Sequence, residues 1–454
     1  MTMAQAVASV ASFVIVWAVA RGMGDAAYGI FASAYALATS IAALTDSGVR
    51  MALIRETARF PKQWRRLLSY ALVISVSLAF VVGLGFVGTV LFEEALASQE
   101  LRFWLLGYAM LWTLMRITLG IPAGYQRLVS VAVWGAFERV MSAVLVAGLV
   151  FFWQVSLIEL AQAMCVLELS VLLCLAIWIF WLGWPTEPNV EVTMPAFIKV
   201  AIPFGVSAAA FAVLGRLDLI VLGFQQPAAT IGHYAAAQLL AMIGVFIGVS
   251  ISGALFPTLS QLGKTEDVEQ SKRLLQPALG LLMLVMVMLA IVISTLSWWL
   301  LSYVYGSNYV SGSGWLILFA LVAPFAAVNS IAGAVIGARG WQKRWATFLW
   351  KLLPVAAGMY WLMGSFIGIW GVAWVNVGVQ IVLTLVAWKW MSDAGVVHMS
   401  WLLRLTGLIG VNGLMFWMLP ESLFLITIPI TLVGIFLLGI CTLDWVKMAF
   451  KVVR

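Results

Sequence analysis

AAYGIFASAYAL (residues 26–37) returns in looser form as ATIGHYAAAQLL (229–240). Ala26 aligns with Ala229, Gly29 with Gly232, Ala32 with Ala235, Ala34 with Ala237 and Leu37 with Leu240, while aromatic Phe31 matches aromatic Tyr234. Each copy opens an apolar segment in which small residues recur, the composition of helix faces that pack closely inside a bilayer. Two copies of one unit in a hydrophobic chain point to an internally repeated membrane fold.

Composition agrees. Hydrophobic residues make up 64% of the 454 and charged residues only 9%, where a soluble domain carries about 25% charged residues. Mean hydropathy is +1.07. The opening MTMAQAVASVASFVIVWAVA ends in an Ala-x-Ala like a signal cleavage site, yet it holds no Lys or Arg. A signal peptide has a basic start, so this stretch reads as the first transmembrane helix. Cys165, Cys174 and Cys441 sit in apolar runs, and His233 and His398 lie far apart. No spacing resembles a metal site or a disulfide frame.

Long apolar runs separated by turns or charges number about fourteen, enough for an all-α polytopic membrane protein. The expected spans are 3–20, 28–46, 68–92, 103–122, 128–151, 158–183, 198–222, 233–258, 276–303, 314–338, 345–363, 366–390, 400–419 and 422–442. With the N-terminus inside, most of the 25 Lys and Arg fall on the cytoplasmic side, as the positive-inside rule requires. Arg21 and Arg102 fall outside; Arg116, Arg139 and Arg216 fall within spans. Both termini are then cytoplasmic, and the net charge of +7 calls for no nucleic acid. The basic, amphipathic RMALIRETARFPKQWRRLL (50–68) predicts an interfacial helix held against anionic lipid.

The aligned copies begin on the same side and enter inward-going spans, so the repeats are parallel, related by an axis along the membrane normal. The expected divisions are an N-terminal six-helix bundle (1–183), a cytoplasmic linker (184–197) containing WPTEPNVEVTMP, and a C-terminal six-helix bundle (198–392). Two additional helices and a cytoplasmic tail follow (393–454). Two such bundles suit alternating access around a midplane site. SQLGKT (260–265) ends like a phosphate-binding loop, but Thr258 stands where that motif needs its first Gly. Direct ATP drive is not expected, and the loops leave no room for a soluble catalytic domain.

Arg116, Glu138, Arg139, Glu168, Arg216 and Asp218 lie well inside apolar runs. An ionised side chain at mid-bilayer costs roughly 2.5–3.5 kcal/mol on insertion scales. These residues either pair across helices or mark a substrate or ion path. Arginine suits phosphate, because its fork matches two oxygens and never deprotonates. The carboxylates suit a coupling ion. Asn329, Asn376 and Gln380 add neutral polar groups that serve either packing or contact.

ARGMGDAAYGIFASAYALATSIAALTDSGVRMALIRETAR (20–59) resembles the opening of the bacterial polysaccharide exporter, or O-antigen flippase, family. The family's Arg-x-x-Gly-x-x-x-Tyr-Gly loop falls on Arg21, Gly24, Tyr28 and Gly29. Its Asp-x-Gly and Arg with Ala-Arg fall on Asp46, Gly48, Arg55, Ala58 and Arg59. AIPFGVSAAAFAVLGRLDLIVLGFQQPAATIGHYAAAQLL (201–240) is similar to the family's seventh span and the turn after it, at Pro203, Arg216, Asp218, Gly232, Tyr234 and Ala236. SGALFPTLSQL (252–262) continues the likeness, which covers most of residues 1–345 and thins beyond. The chain departs from the pattern at its start, where nothing basic precedes the first span.

The resemblance implies the multidrug/oligosaccharidyl-lipid/polysaccharide exporter fold. It further implies a flippase of the bacterial inner membrane that carries undecaprenyl-diphosphate-linked glycans from the cytoplasmic to the periplasmic leaflet. On this reading Arg116, Arg139 and Arg216 bind the diphosphate, and Glu138, Glu168 and Asp218 couple an ion, H⁺ or Na⁺. Arg50, Arg55 and Arg59 form the cytoplasmic entrance. No cofactor is expected; membrane lipid and a glycan polymerase are the partners, and the chain works as a monomer. Two alternatives keep the fold: a lipid-linked peptidoglycan-precursor flippase, and an H⁺- or Na⁺-coupled multidrug antiporter. A membrane glycan polymerase or ligase would need a large periplasmic loop, which the chain lacks.

Overall fold

A computed structural model describes residues 2–46, 48–88, 98–184, 192–265, 268–397 and 407. Among them there is no strand. The helices run α1 (Thr2–Met23), α2 (Asp25–Asp46), α3 (Val49–Arg59), α4 (Trp64–Gly88), α5 (Gln99–Thr118), α6 (Gly120–Gly124), α7 (Leu128–Gly148), α8 (Leu157–Trp181) and α9 (Met194–Leu214). They continue as α10 (Leu217–Gln225), α11 (Ala228–Met242), α12 (Val245–Thr265), α13 (Val268–Thr295), α14 (Ser297–Val304), α15 (Ser313–Ala338), α16 (Gln342–Ile367) and α17 (Ile369–Asp393). Ten helical segments are long and apolar enough to cross a membrane, and up to twelve if each of two bent pairs is one span. The chain is a multi-pass membrane protein. The expected thirteenth and fourteenth spans, at 400–419 and 422–442, lie outside the described residues.

Two expected spans are not straight. The segment expected at 198–222 bends by 45° between Ile202 and Gly205. It then breaks at Gly215 and Arg216, whose backbone (φ −129°, ψ −4°) leaves the helical region before α10 begins. The segment expected at 233–258 begins at Ala228 and bends by 43° between Met242 and Val245.

The contacts group the chain into two compact units. The first comprises residues 1–232 and 342–369. Within it α1 packs on α7, α5 lies against α2 and α8, and α16 lies against α9 and α10. Ser156 and Glu159 form a reciprocal capping box at the start of α8, which satisfies two amides that a helix start leaves open. Trp64, fully buried, reaches the Trp184 carbonyl through its indole N–H at 3.5 Å. The Tyr125 ring packs 4.3 Å from that of Trp184, so aromatic stacking pins the chain where the expected linker begins.

The amphipathic stretch after α2 uses its apolar face inside the protein, not against lipid. Val49, Ala52, Leu53, Glu56 and Thr57 of α3 are buried. A Cβ on Gly120 would lie 3.2 Å from Leu53, and one on Gly124 would lie 2.6 Å from Thr57. Hydrophobic periodicity reports that a face is covered without saying by what. The turn into α3 depends on Gly48, whose φ of +75° suits glycine. A Cβ there would lie 2.3 Å from the Gly205 amide nitrogen. Asp46 accepts a hydrogen bond from the Arg50 amide at 3.2 Å. The Asp-x-Gly pattern therefore builds a capped corner pressed onto α9.

The second unit comprises residues 233–341 and 370–454. Here α12 and α13 pack on α15, and α12 comes close enough at Gly248 that a Cβ would lie 2.9 Å from the Ala327 carbonyl oxygen. Asn329 donates to Gln380 at 3.3 Å, and Thr384 donates to the carbonyls of Phe325 and Gln380. His233 and Ser311 lie 2.8 Å apart through Nδ1 and Oγ.

Candidate anion and ion site

Four of the six intramembrane charges come together in the first unit. Helices α5, α7 and α8 carry them, with α2 alongside. On α5, Tyr108, Trp112 and Arg116 recur at four-residue spacing and so share one face. Glu138 and Arg139 are adjacent on α7, with Ser142 one turn beyond, and Glu168 lies on α8.

Trp112 is the centre of the group. The Arg116 guanidinium carbon lies 4.7 Å from its ring centroid, and that of Arg139 lies 4.7 Å from the same ring. A tryptophan face attracts a cation with about 0.5–2 kcal/mol depending on desolvation. One indole thus holds two like charges that would otherwise separate. Its N–H turns toward the Glu138 carboxyl.

Arg139 has a second partner. Its Nε lies 3.3 Å from Glu138 Oε2, and the Ser142 hydroxyl donates to Glu138 Oε1 at 3.3 Å. The Glu138 side chain is 2% exposed, against 15% for that of Arg139. Glu168 is wholly buried, and neither of its oxygens meets a fixed donor. The Glu138 carboxyl stands beside it, placed to share a hydrogen bond once one of the two carries a proton. Tyr108 and Tyr35 complete the surroundings of Arg139, their rings 6.2 Å apart.

The arginine side of the cluster continues toward α3. Arg50 and Asp46 both act electrostatically on Arg116, which ties Arg50 to the intramembrane group. Arg55 and Arg59 do not. Both are exposed, each 3.8 Å from the buried Glu56 carboxylate.

Arg216 and Asp218 occupy a different place. Their helix, α10, packs on α2 and α16. Because the helix breaks at Gly215, Arg216 is an exposed residue at the start of α10 and acts electrostatically on the buried Tyr28 of α2. Asp218 is buried in the first turn of α10, where its Oδ1 accepts from the Leu219 amide at 2.8 Å. A carboxylate there satisfies an open amide and faces the positive end of the helix dipole. The pair belongs to an interrupted helix rather than to a continuous span.

Sequence reasoning missed Trp112, Tyr35, Tyr108 and Ser142. The signal for two of them was the i, i+4 spacing that leads to Arg116. No cluster of three or more His, Cys, Asp or Glu suited to a metal exists among the described residues.

Two part-buried arginines and two buried carboxyls thus stand together between the helices of a multi-pass membrane protein. The chain belongs to the polysaccharide biosynthesis protein family, whose model matches residues 1–263. Among solved structures it is similar to the lipid II flippase MurJ in an inward closed conformation. That match has a TM-score of 0.67 at 15% identity, over 100% of this chain and 99% of the other. It is also similar to an outward-facing multidrug resistance transporter of the MATE family, at a TM-score of 0.57 and 15% identity over 86% and 92% of the two chains. A MOP superfamily transporter from Pyrococcus furiosus, described as having a binding pocket of reversed polarity, gives 0.56 and 16% over 86% and 94%. These likenesses show that the chain shares the fold of those three transporters. No curated protein matches the sequence.

Proposed function

We propose that the protein is a flippase of the bacterial inner membrane for a glycan joined through a diphosphate to undecaprenyl, of the O-antigen type. The glycan moves from the cytoplasmic to the periplasmic leaflet by ion-coupled alternating access, and both chain ends are cytoplasmic. The observation that carries this reading is the pair of guanidinium groups, Arg116 and Arg139, held on Trp112 within membrane-spanning helices.

Two permanent cations in hydrocarbon are costly without an anion to receive. A diphosphate offers oxygens that match the guanidinium fork. An organic cation would be repelled by the same pair, which speaks against a drug antiporter. Arg50 extends the positive path beside Arg116, with Arg55 and Arg59 as exposed capture residues at the entrance, while Arg216 adds a contact at the α10 break. Glu138 and Glu168 take the coupling ion, H⁺ or Na⁺, and Asp218 serves the same end beside Arg216. The chain works as a monomer, and a glycan polymerase receives its product.

Leaflet transfer of a fluorescent undecaprenyl-diphosphate glycan in proteoliposomes tests the reading. Transfer above that of empty liposomes supports it, and so does slow transfer of a lipid-linked peptidoglycan precursor in the same assay. Efflux of organic cations with no glycan transfer would replace it with the drug antiporter.

A further inference from the structure

We propose that anion binding at Arg139 and proton binding at the Glu138–Glu168 pair are one linked event, a proton being taken up for each diphosphate bound. The linkage rests on the anion-binding reading above.

Its origin is that one guanidinium serves two masters. Arg139 lies 3.3 Å from Glu138 and shares Trp112 with Arg116. Glu138 is buried, and Glu168 has no fixed donor. Arginine keeps its charge in proteins. Arg139, Glu138 and Glu168 together are therefore neutral when the two carboxyls share one proton. An anion that takes up Arg139 leaves the group one negative charge in excess, in a low-dielectric place where such an excess is strongly disfavoured. A second proton on the carboxyl pair restores neutrality. The proton comes from water and binds a carboxylate oxygen; no covalent bond breaks.

The other groups facing the pair cannot take this role. From α5 come Tyr108 and Arg116, from α2 Tyr35, and from α8 Cys165. A phenol and a thiol ordinarily titrate above neutral pH, and arginine keeps its charge in proteins. Asp46 and Arg50 act on Arg116. Proton traffic therefore falls on Glu138 and Glu168.

Linkage is reciprocal, so the anion must bind more tightly as pH falls. The probe is a soluble dialkyl diphosphate diester, whose two charges do not change with pH. Calorimetry on the full chain in lipid nanodiscs, in buffers of different ionisation heat, counts the protons. The result expected is about one proton per diester, with Kd falling about tenfold for each unit by which pH is lowered across the titration. Glu138→Gln or Glu168→Gln alone leaves one carboxyl to titrate and retains the uptake. Together they abolish it, flatten the pH dependence and tighten binding, since Arg139 is then uncontested. Binding by the native chain without proton uptake would overturn the linkage and leave the anion site standing. No binding, or equal binding by Arg139→Gln, would overturn both.

Discussion

Gly29 and Gly232 meet backbone to backbone. A Cβ on Gly29 would lie 1.8 Å from the Ala228 carbonyl oxygen and 2.8 Å from the Gly232 nitrogen. One on Gly232 would lie 2.1 Å from the Asp25 carbonyl oxygen and 3.3 Å from the Gly29 nitrogen. The contact is reciprocal, and these are the glycines that align between AAYGIFASAYAL and ATIGHYAAAQLL. Close helix approach through glycine is a recognised packing mode in membranes.

Substitution at this crossing is predicted to be destructive. Gly29→Ala or Gly232→Ala forces carbon into a carbonyl oxygen, and backbone cannot swing aside as a side chain can. Overpacking costs typically 1–3 kcal/mol. Gly135→Ala on α7, where a Cβ would meet nothing within 4 Å, is the control. Thermal unfolding in detergent should show a lower Tm for the first two variants and an unchanged or raised Tm for the third.

The carboxyl pair predicts non-additivity. Glu138→Ala leaves Glu168 beside Arg139, and Glu168→Ala leaves the 3.3 Å ion pair intact, so each single change is mild. The double change strands a guanidinium whose side chain is only 15% exposed. Stranding a buried charge costs about 3–5 kcal/mol. Adding Arg139→Met should restore most of the lost Tm. Additive single losses with no rescue would show that the three residues do not act as one electrostatic group.

Trp112 carries a prediction of its own, as a positioning residue. Trp112→Phe keeps an aromatic face for both arginines, whereas Trp112→Leu keeps only bulk. Leu is expected to weaken diphosphate diester binding by about tenfold, consistent with loss of roughly 1.4 kcal/mol of cation–π attraction. Phe should weaken it less. Equal Kd values for the two variants would make Trp112 a packing residue.

The sequence made ten long apolar helices legible, and two further segments that the structure bends, because hydropathy averages over a whole helix. It hid the break at Gly215 and Arg216 for the same reason: one non-helical residue barely changes such an average. Arg216 and Asp218 share with Arg116 and Arg139 only their place inside apolar runs. A place in an apolar run does not say which helices neighbour one another, and that decides which charges meet. The buried charges were visible singly, since an ionised side chain in an apolar run is rare. Tyr35, Tyr108 and Trp112 were not, because aromatics are ordinary in such runs and only their partners give them a role.

The most direct measurement is leaflet transfer of the undecaprenyl-diphosphate glycan in proteoliposomes by Arg116→Gln, Arg139→Gln and Arg216→Gln beside the native chain. Each variant is first shown to be folded by its Tm. Transfer should fall at least tenfold for Arg116→Gln and Arg139→Gln, and by less for Arg216→Gln at its separate site. Native rates in both Arg116→Gln and Arg139→Gln would contradict the account and reduce the Trp112 cluster to a structural knot between helices.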